Sequence, residues 1–122
     1  MNIGSCLCGS IKFEIVSDPV AVSHCHCKMC QKQHGAAFAT YARFKRADVE
    51  YTKGKEKLSV FNSSEDVLRK FCSICGSNIE WGCSERYPEW VAIAVGSFDN
   101  DFSTSEIKEL HQESKVCWLR SS

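Results

Sequence analysis

Short segments that alternate apolar and polar residues dominate this chain. Residues 11–15 alternate apolar and charged side chains, which is the pattern of a half-buried β-strand. Glycines separate such segments, as turn residues do between strands. The other predicted strands span residues 37–44, 49–52, 57–61, 67–71, 78–81 and 90–95.

Two short helical segments are predicted. Residues 28–34 form one helical turn in this interpretation. Ser103 or Thr104 is expected to cap a second helix through Leu110, since Glu106 follows within capping-box range. At 122 residues the chain has the length of one domain. The sequence therefore predicts a single domain over residues 1–122, mainly β, with small and mostly antiparallel sheets and little helix.

The charge balance narrows the class of partner. Fifteen Lys and Arg residues cancel fifteen Asp and Glu residues, whereas dedicated nucleic-acid binders carry a surplus of cations. The longest apolar run, residues 90–95, is far shorter than the roughly 20 residues that a membrane helix needs. The N-terminal residues lack the cationic start and long apolar stretch of a signal peptide. We therefore expect a cytoplasmic protein without a nucleic-acid or membrane partner.

Nine cysteines are unusual for such a chain, and four of them have the spacing of a structural zinc site. Cys72-x-x-Cys75-Gly has the form of a zinc knuckle, in which two thiolates reach one ion. Cys6-x-Cys8-Gly can supply the other two ligands of a tetrahedral site. The alternative for Cys72 and Cys75 is a redox dithiol, which is less favoured because no βαβ pattern surrounds them.

Three further cysteines, Cys25, Cys27 and Cys30, lie within six residues. One segment of this length can direct three thiolates at one zinc ion and leave its fourth position open. An open position is typical of catalytic zinc, and three thiolates suit a ligand that arrives as a thiol. The alternative is a closed site with a fourth protein ligand. The candidates for that ligand are His24, His26, Cys83 and Cys117.

The two histidines next to Cys25 are candidate proton carriers. On an extended segment, His24 and His26 would lie on the face opposite Cys25. From there they could bond to the metal ligands or transfer protons near the pocket, and the alternative is a surface position. If Cys83 and Cys117 are not ligands, they are expected to be small buried apolar residues.

The order of these motifs resembles the glutathione-dependent formaldehyde-activating enzyme family. The resemblance rests on Gly-Ser-Cys6-x-Cys8-Gly, Cys25-His-Cys27-x-x-Cys30 and Phe-Cys72-x-x-Cys75-Gly, and it extends to residues 11–14, 35–39 and 95–99. It implies a β-tent fold of small sheets around zinc. It also implies a structural zinc on the first and third motifs and a catalytic zinc on the second.

The resemblance further implies the reaction. Members of the family join glutathione to formaldehyde reversibly, which gives S-hydroxymethylglutathione and makes the enzyme a carbon–sulfur lyase. The expected partners are therefore a small thiol such as glutathione and an aldehyde, and the expected cofactor is zinc at both sites. The sequence also resembles centromere protein V, so the alternative function is a non-catalytic zinc module that binds a protein or another partner.

Overall fold

The computed structural model describes residues 1–119 of the chain. Within this range the chain forms ten β-strands and one short α-helix, α1 (Lys28–His34). The strands are β1 (Asn2–Ser5), β2 (Lys12–Ile15), β3 (Ala21–Cys25), β4 (Ala39–Lys45), β5 (Val49–Lys53), β6 (Leu58–Ser64), β7 (Val67–Cys72), β8 (Asn78–Cys83), β9 (Trp90–Ala94) and β10 (Lys108–Leu110). The predicted mainly β architecture and the helix at residues 28–34 are thereby confirmed.

The strands form two sheets that share one core. The smaller sheet has the order β1-β2-β5, and the larger has the order β10-β3-β4-β9-β8-β7-β6. All named strand pairs in the described chain are antiparallel except β10 with β3. Phe13 on β2, Phe44 on β4 and Ile93 on β9 belong to the same buried cluster. The smaller sheet therefore packs its apolar face onto the middle of the larger one.

The C-terminal segment differs from the prediction. The helix expected from Ser103 or Thr104 through Leu110 is wrong, because Lys108–Leu110 forms β10 and pairs in parallel with β3. The outer edge of β3 offers unpaired backbone groups, and the tail satisfies them. All three residues of β10 are exposed, so no apolar pattern along the tail marks them as a strand.

Besides β10, two further strands of the described structure, β1 and β3, were not predicted. The β1 sequence, Asn-Ile-Gly-Ser, has one large apolar residue, and β3 is held in place largely by its pairing with β4. Through β1 the chain enters the first cysteine motif, and through β3 it enters the second. No helix among the described residues is long and apolar enough to cross a membrane.

Candidate metal centres and active site

The first and third cysteine motifs come together in space. Cys6 and Cys8 lie in the turn that follows β1, while Cys72 ends β7 and Cys75 lies in the turn before β8. The four sulfur atoms lie within 4.8 Å of one another, with 3.6 Å from Cys6 to Cys8 and 3.9 Å from Cys8 to Cys72. Sulfurs bound at 2.3 Å around a tetrahedral zinc are about 3.8 Å apart. The donor set therefore fits a closed tetrahedral zinc site.

Hydrogen-bond donors surround these four sulfurs. The backbone N–H groups of Ile74 and Cys75 donate to Cys72 Sγ at 3.4 and 3.5 Å, and that of Ile11 donates to Cys6 Sγ at 3.3 Å. The bond with the Ser77 hydroxyl, 3.2 Å from the sulfur, lowers the pKa of Cys75 to about 5. Such donors stabilise thiolates, which is the form that binds metal.

The three sulfurs of the second motif also converge. Cys25 ends β3, and the sulfur of Cys27 accepts a bond from the backbone N–H of Cys30 at the start of α1, at 3.3 Å. The three sulfur atoms lie within 4.8 Å of one another. Among residues 1–119, no fourth Cys, His, Asp or Glu ligand atom comes as close to all three. None of the four residues considered as a fourth ligand therefore completes this site.

Close packing of the three thiols calls for a cation. Hydrogen bonding with Cys30 lowers the pKa of the Cys25 thiol to about 5. The same contact, together with burial, raises the pKa of Cys30. Three thiolates at this spacing repel one another unless a positive charge lies between them. Soft sulfur donors select a metal such as zinc, so this donor set also fits the expected ion.

A cavity of about 470 Å³ opens beside the three cysteines. Val67, Trp81 and Ala92 supply apolar wall. The polar and charged lining residues include Tyr41, Arg43, Arg69, Lys108 and His111. A small organic molecule can therefore reach the sulfurs between apolar walls and a mainly cationic polar lining.

His24 on β3 and His26, directly after this strand, lie on the face opposite Cys25. Ser23 and Cys25 line the cavity, whereas neither histidine does. The Nδ1 atom of His24 is 2.9 Å from Thr40 Oγ1, and Nε2 of the buried His26 is 2.7 Å from Glu109 Oε1. His24 thus contacts β4, and His26 contacts β10. Proton transfer by His24 and His26 to a substrate stays a prediction, and neither ring lines the cavity of the three cysteines.

A different titratable pair borders the cavity. Tyr41 lines it, and the Tyr41 hydroxyl is 2.9 Å from Nε2 of His34. Burial raises the pKa of Tyr41 and lowers the pKa of His34, so both side chains are neutral near pH 7. His34 also lines a second cavity, one that does not include Tyr41. The pair therefore links the three-cysteine cavity to another opening.

Sequence reasoning missed this pair, as it missed Arg69, Lys108 and His111 at the same cavity. Alternation along β4 could have placed Tyr41 on one face, but the face that meets the cysteines depends on the pairing of β4 with β3. The expectation for the two remaining cysteines holds for Cys83, which is buried, and is wrong for Cys117, which is exposed.

This chain is similar to known proteins over most of its length. The family described as "Glutathione-dependent formaldehyde-activating enzyme" matches residues 1–117. A protein of Halomonas elongata is 32% identical over 95% of this chain and 78% of its own length. A protein of Colletotrichum graminicola is 31% identical over 68% of this chain and 44% of its own length. Both carry the name "Putative glutathione-dependent formaldehyde-activating enzyme".

The fold also has a relative among solved structures. The crystal structure of a Rhodobacter sphaeroides protein superposes with a TM-score of 0.68, and the match covers 88% of this chain and 98% of that one. The two sequences are 20% identical, so this similarity concerns the fold alone.

Proposed function

Because this chain belongs to the glutathione-dependent formaldehyde-activating enzyme family, we propose that it is a zinc-dependent enzyme that reversibly joins a thiol to an aldehyde. The proposed substrates are glutathione and formaldehyde, and the product is S-hydroxymethylglutathione. The reverse reaction cleaves a carbon–sulfur bond, so the reaction class is that of a carbon–sulfur lyase.

The convergence of three thiols at the cavity, without a fourth ligand among the described residues, carries this proposal. Cys25, Cys27 and Cys30 would hold the ion. A zinc ion there would lower the pKa of a substrate thiol and hold its sulfur as the nucleophilic thiolate. By contrast, the four-cysteine site leaves no free corner, which suits a structural role.

The apolar walls favour the addition step by keeping water from the reacting atoms. Water competes with the thiol for formaldehyde, and Val67 and Trp81 border the place where the aldehyde would enter. Arg43 lies with its guanidinium 5.2 Å from the centre of the Trp90 ring and reaches the same cavity. It is available to a carboxylate of glutathione, as is Lys108 on β10.

Tyr41 is the group that this geometry favours as proton donor. In the addition, the sulfur–carbon bond forms while the electrons of the C=O double bond move to oxygen, which then takes a proton from the Tyr41 hydroxyl. The tautomer of His34 with its proton on Nε2 would donate to the Tyr41 oxygen and pass a replacement proton from the second cavity. The thiol's own proton leaves to solvent, so the protons balance.

The experiment measures how fast glutathione and S-hydroxymethylglutathione exchange, by NMR exchange spectroscopy with ¹³C-formaldehyde. This adduct also forms without catalysis, so the observable is the exchange rate in excess of that background. We expect catalysis by the zinc-loaded protein and a loss of about tenfold or more in Y41F, since a positioned proton donor commonly contributes about 10²–10⁴. The matched control is Y87F, which removes the same hydroxyl from an exposed ring outside this cavity.

Two results would count against the proposal. No acceleration by protein that contains two zinc ions per chain would favour the non-catalytic zinc module. Equal exchange rates for Y41F and Y87F, both above the background, would support an enzyme but contradict the assignment of Tyr41 as its proton donor.

A further inference from the structure

Arg69 is a buried cation with no carboxylate partner among residues 1–119. It lies on β7, its exposed fraction is 3%, and it also lines the cavity of the three cysteines. No carboxylate oxygen in the described part of the chain lies within 4.0 Å of its guanidinium. Burying a charge is costly unless a charge of opposite sign compensates it. Arg69 therefore calls for an anion that is not an acidic side chain.

The contacts of Arg69 direct it at the thiols. Both Nη atoms lie 3.7 Å from Cys30 Sγ. Nη1 also donates to Gln33 Oε1 at 2.7 Å, and Nε donates to Ser63 Oγ at 2.9 Å. Gln33 and Ser63 are neutral, so they orient the guanidinium without neutralising it. The guanidinium group is thus held with both Nη atoms facing the sulfur of Cys30.

The Arg69 guanidinium changes the net charge of the three-cysteine site. Three thiolates and one divalent ion carry a net charge of −1, and a fourth ligand that binds as a thiolate would bring it to −2. In a cavity with apolar walls, each added negative charge is costly. With Arg69 beside the sulfurs, the same two states carry 0 and −1. The guanidinium thus offsets the cost of the anionic ligand.

We propose that Arg69 is a positioning residue that supplies the counter-charge of the three-cysteine site and thereby selects an anionic, thiolate ligand over a neutral one. The incoming thiol binds through sulfur and releases its proton to the buffer. The inference rests on the proposed function in one respect, that a thiol is the ligand. It goes further by assigning the preference for the anion to a single side chain outside the metal ligands.

The test compares two small ligands on the cobalt-substituted protein. 2-Mercaptoethanol binds as an anion and has no carboxylate that could contact Arg43 or Lys108, whereas imidazole binds as a neutral donor. Both are titrated while the visible cobalt bands are recorded. We expect R69M to weaken 2-mercaptoethanol binding by about tenfold or more, the lower end of what losing a ligand's hydrogen-bond partner costs, and imidazole binding by about twofold or less.

Two further variants separate charge from packing. R69K restores the positive charge without the planar guanidinium group, and it should recover most of the thiol affinity lost in R69M. If Arg69 serves only to bridge Ser63 and Gln33, R69K should recover none of that affinity. K70M removes a cation from the next residue of β7. Lys70 lies 3.7 Å from Glu80 and does not line this cavity, so both affinities should stay within about twofold of wild type.

The outcomes are distinct. If the wild-type cobalt protein takes up imidazole but no thiol, the proposed function and this inference both fail. If the wild type binds thiol and R69M weakens both ligands equally or neither, the inference alone is overturned. Should R69M not fold, the comparison is made between R69K and R69Q, and equal thiol affinities in those two variants would overturn it.

Discussion

Gly4 allows β1 to lie against the core. Its partner across the strand pair is Phe13, and a Cβ atom at position 4 would overlap the Phe13 ring. That ring is fully buried and packs edge-on against Tyr51 and Phe98, with ring centres 6.0 and 6.3 Å apart, so it has little room to move. Because Gly4 is two residues before Cys6, this close approach also sets where the first sulfur ligand lies.

We expect G4A to lower the free energy of unfolding by about 1–3 kcal/mol, the usual cost of overpacking a filled core. Urea denaturation followed by circular dichroism measures it. G96A is the control, since a Cβ there meets nothing within 4 Å and should change stability by about 0.5 kcal/mol or less. Equal effects of the two substitutions would mean that Phe13 can rearrange.

Asp66 fixes the loop that follows β8. Its carboxylate accepts bonds from the backbone N–H groups of Ser84, Glu85 and Arg86 at 2.9–3.1 Å, and from the Arg86 guanidinium at 3.2 Å. These bonds, led by that from the Arg86 amide, hold the pKa of Asp66 below its usual range. The loop is therefore tied to the ionised form of one side chain.

The sign of the pH effect follows from that lowered pKa. The bonds of Asp66 contribute stability above the unfolded pKa of about 3.9, and the contribution is lost as the pH falls towards the lower folded pKa. We expect the protection factors of the Ser84, Glu85 and Arg86 amide protons, taken relative to the intrinsic exchange rate at each pH, to fall below about pH 4 in the wild type. D66N should show low protection factors for these amides at neutral pH already. D18N, at an exposed aspartate, should match the wild type.

At the scale of elements, β10 is held to the sheet by few contacts. Its residues are exposed, and its link to β3 includes the bond from the His26 backbone N–H to the Leu110 carbonyl oxygen at 2.9 Å. The Glu109 carboxylate and the buried His26 ring, 2.7 Å apart, add a side-chain contact. Since Lys108 and Leu110 line the cavity, the position of this strand shapes the candidate active site.

We expect E109A to loosen β10 without unfolding the protein. Loss of this partly exposed bond should cost about 1 kcal/mol and raise hydrogen exchange at the His26 amide about fivefold. E106A, which removes an exposed carboxylate just before the strand, is the control. Unchanged exchange at His26 in E109A would mean that backbone pairing alone holds the strand.

The elements that sequence could predict are those whose pattern is local. Residues 11–15 and 90–95 show their strand character in their own side chains, and the spacing of Cys72 and Cys75 specifies a knuckle without outside help. β10 and the pairing of Tyr41 with His34 arise only when distant segments meet. Arg69 belongs to the same class, since 39 residues separate it from Cys30. The clustered cysteines could therefore be found from sequence, and most of their surroundings could not.

At the scale of the whole molecule, the two cysteine sites differ in which parts of the chain they connect. The four-cysteine site joins the turn after β1, in the smaller sheet, to the turn between β7 and β8, in the larger one. The three-cysteine site lies within one stretch of six residues, at the end of β3 and the start of α1. A metal ion at the first site would therefore link two sheets, while one at the second would crosslink only a local stretch of chain.

This difference predicts opposite effects of removing one ligand from each site. Apparent zinc-binding energies of about 10–16 kcal/mol in structural sites are as large as the whole stability of a typical domain, about 5–15 kcal/mol. C72A should therefore leave the chain largely unfolded. C30A should keep the fold, bind one zinc ion fewer than wild type and lose thiol binding. Circular dichroism and metal analysis of each purified variant measure these outcomes.

C83A is the matched control for both substitutions, because Cys83 is buried like Cys30 and Cys72 but belongs to neither cluster. It should retain the fold and two zinc ions per chain, so that any larger effect reflects metal rather than a lost buried sulfur. Unfolding of C72A and C30A to the same extent would show that both ions support the fold. That result would contradict a separate, substrate-binding role for the three-cysteine site.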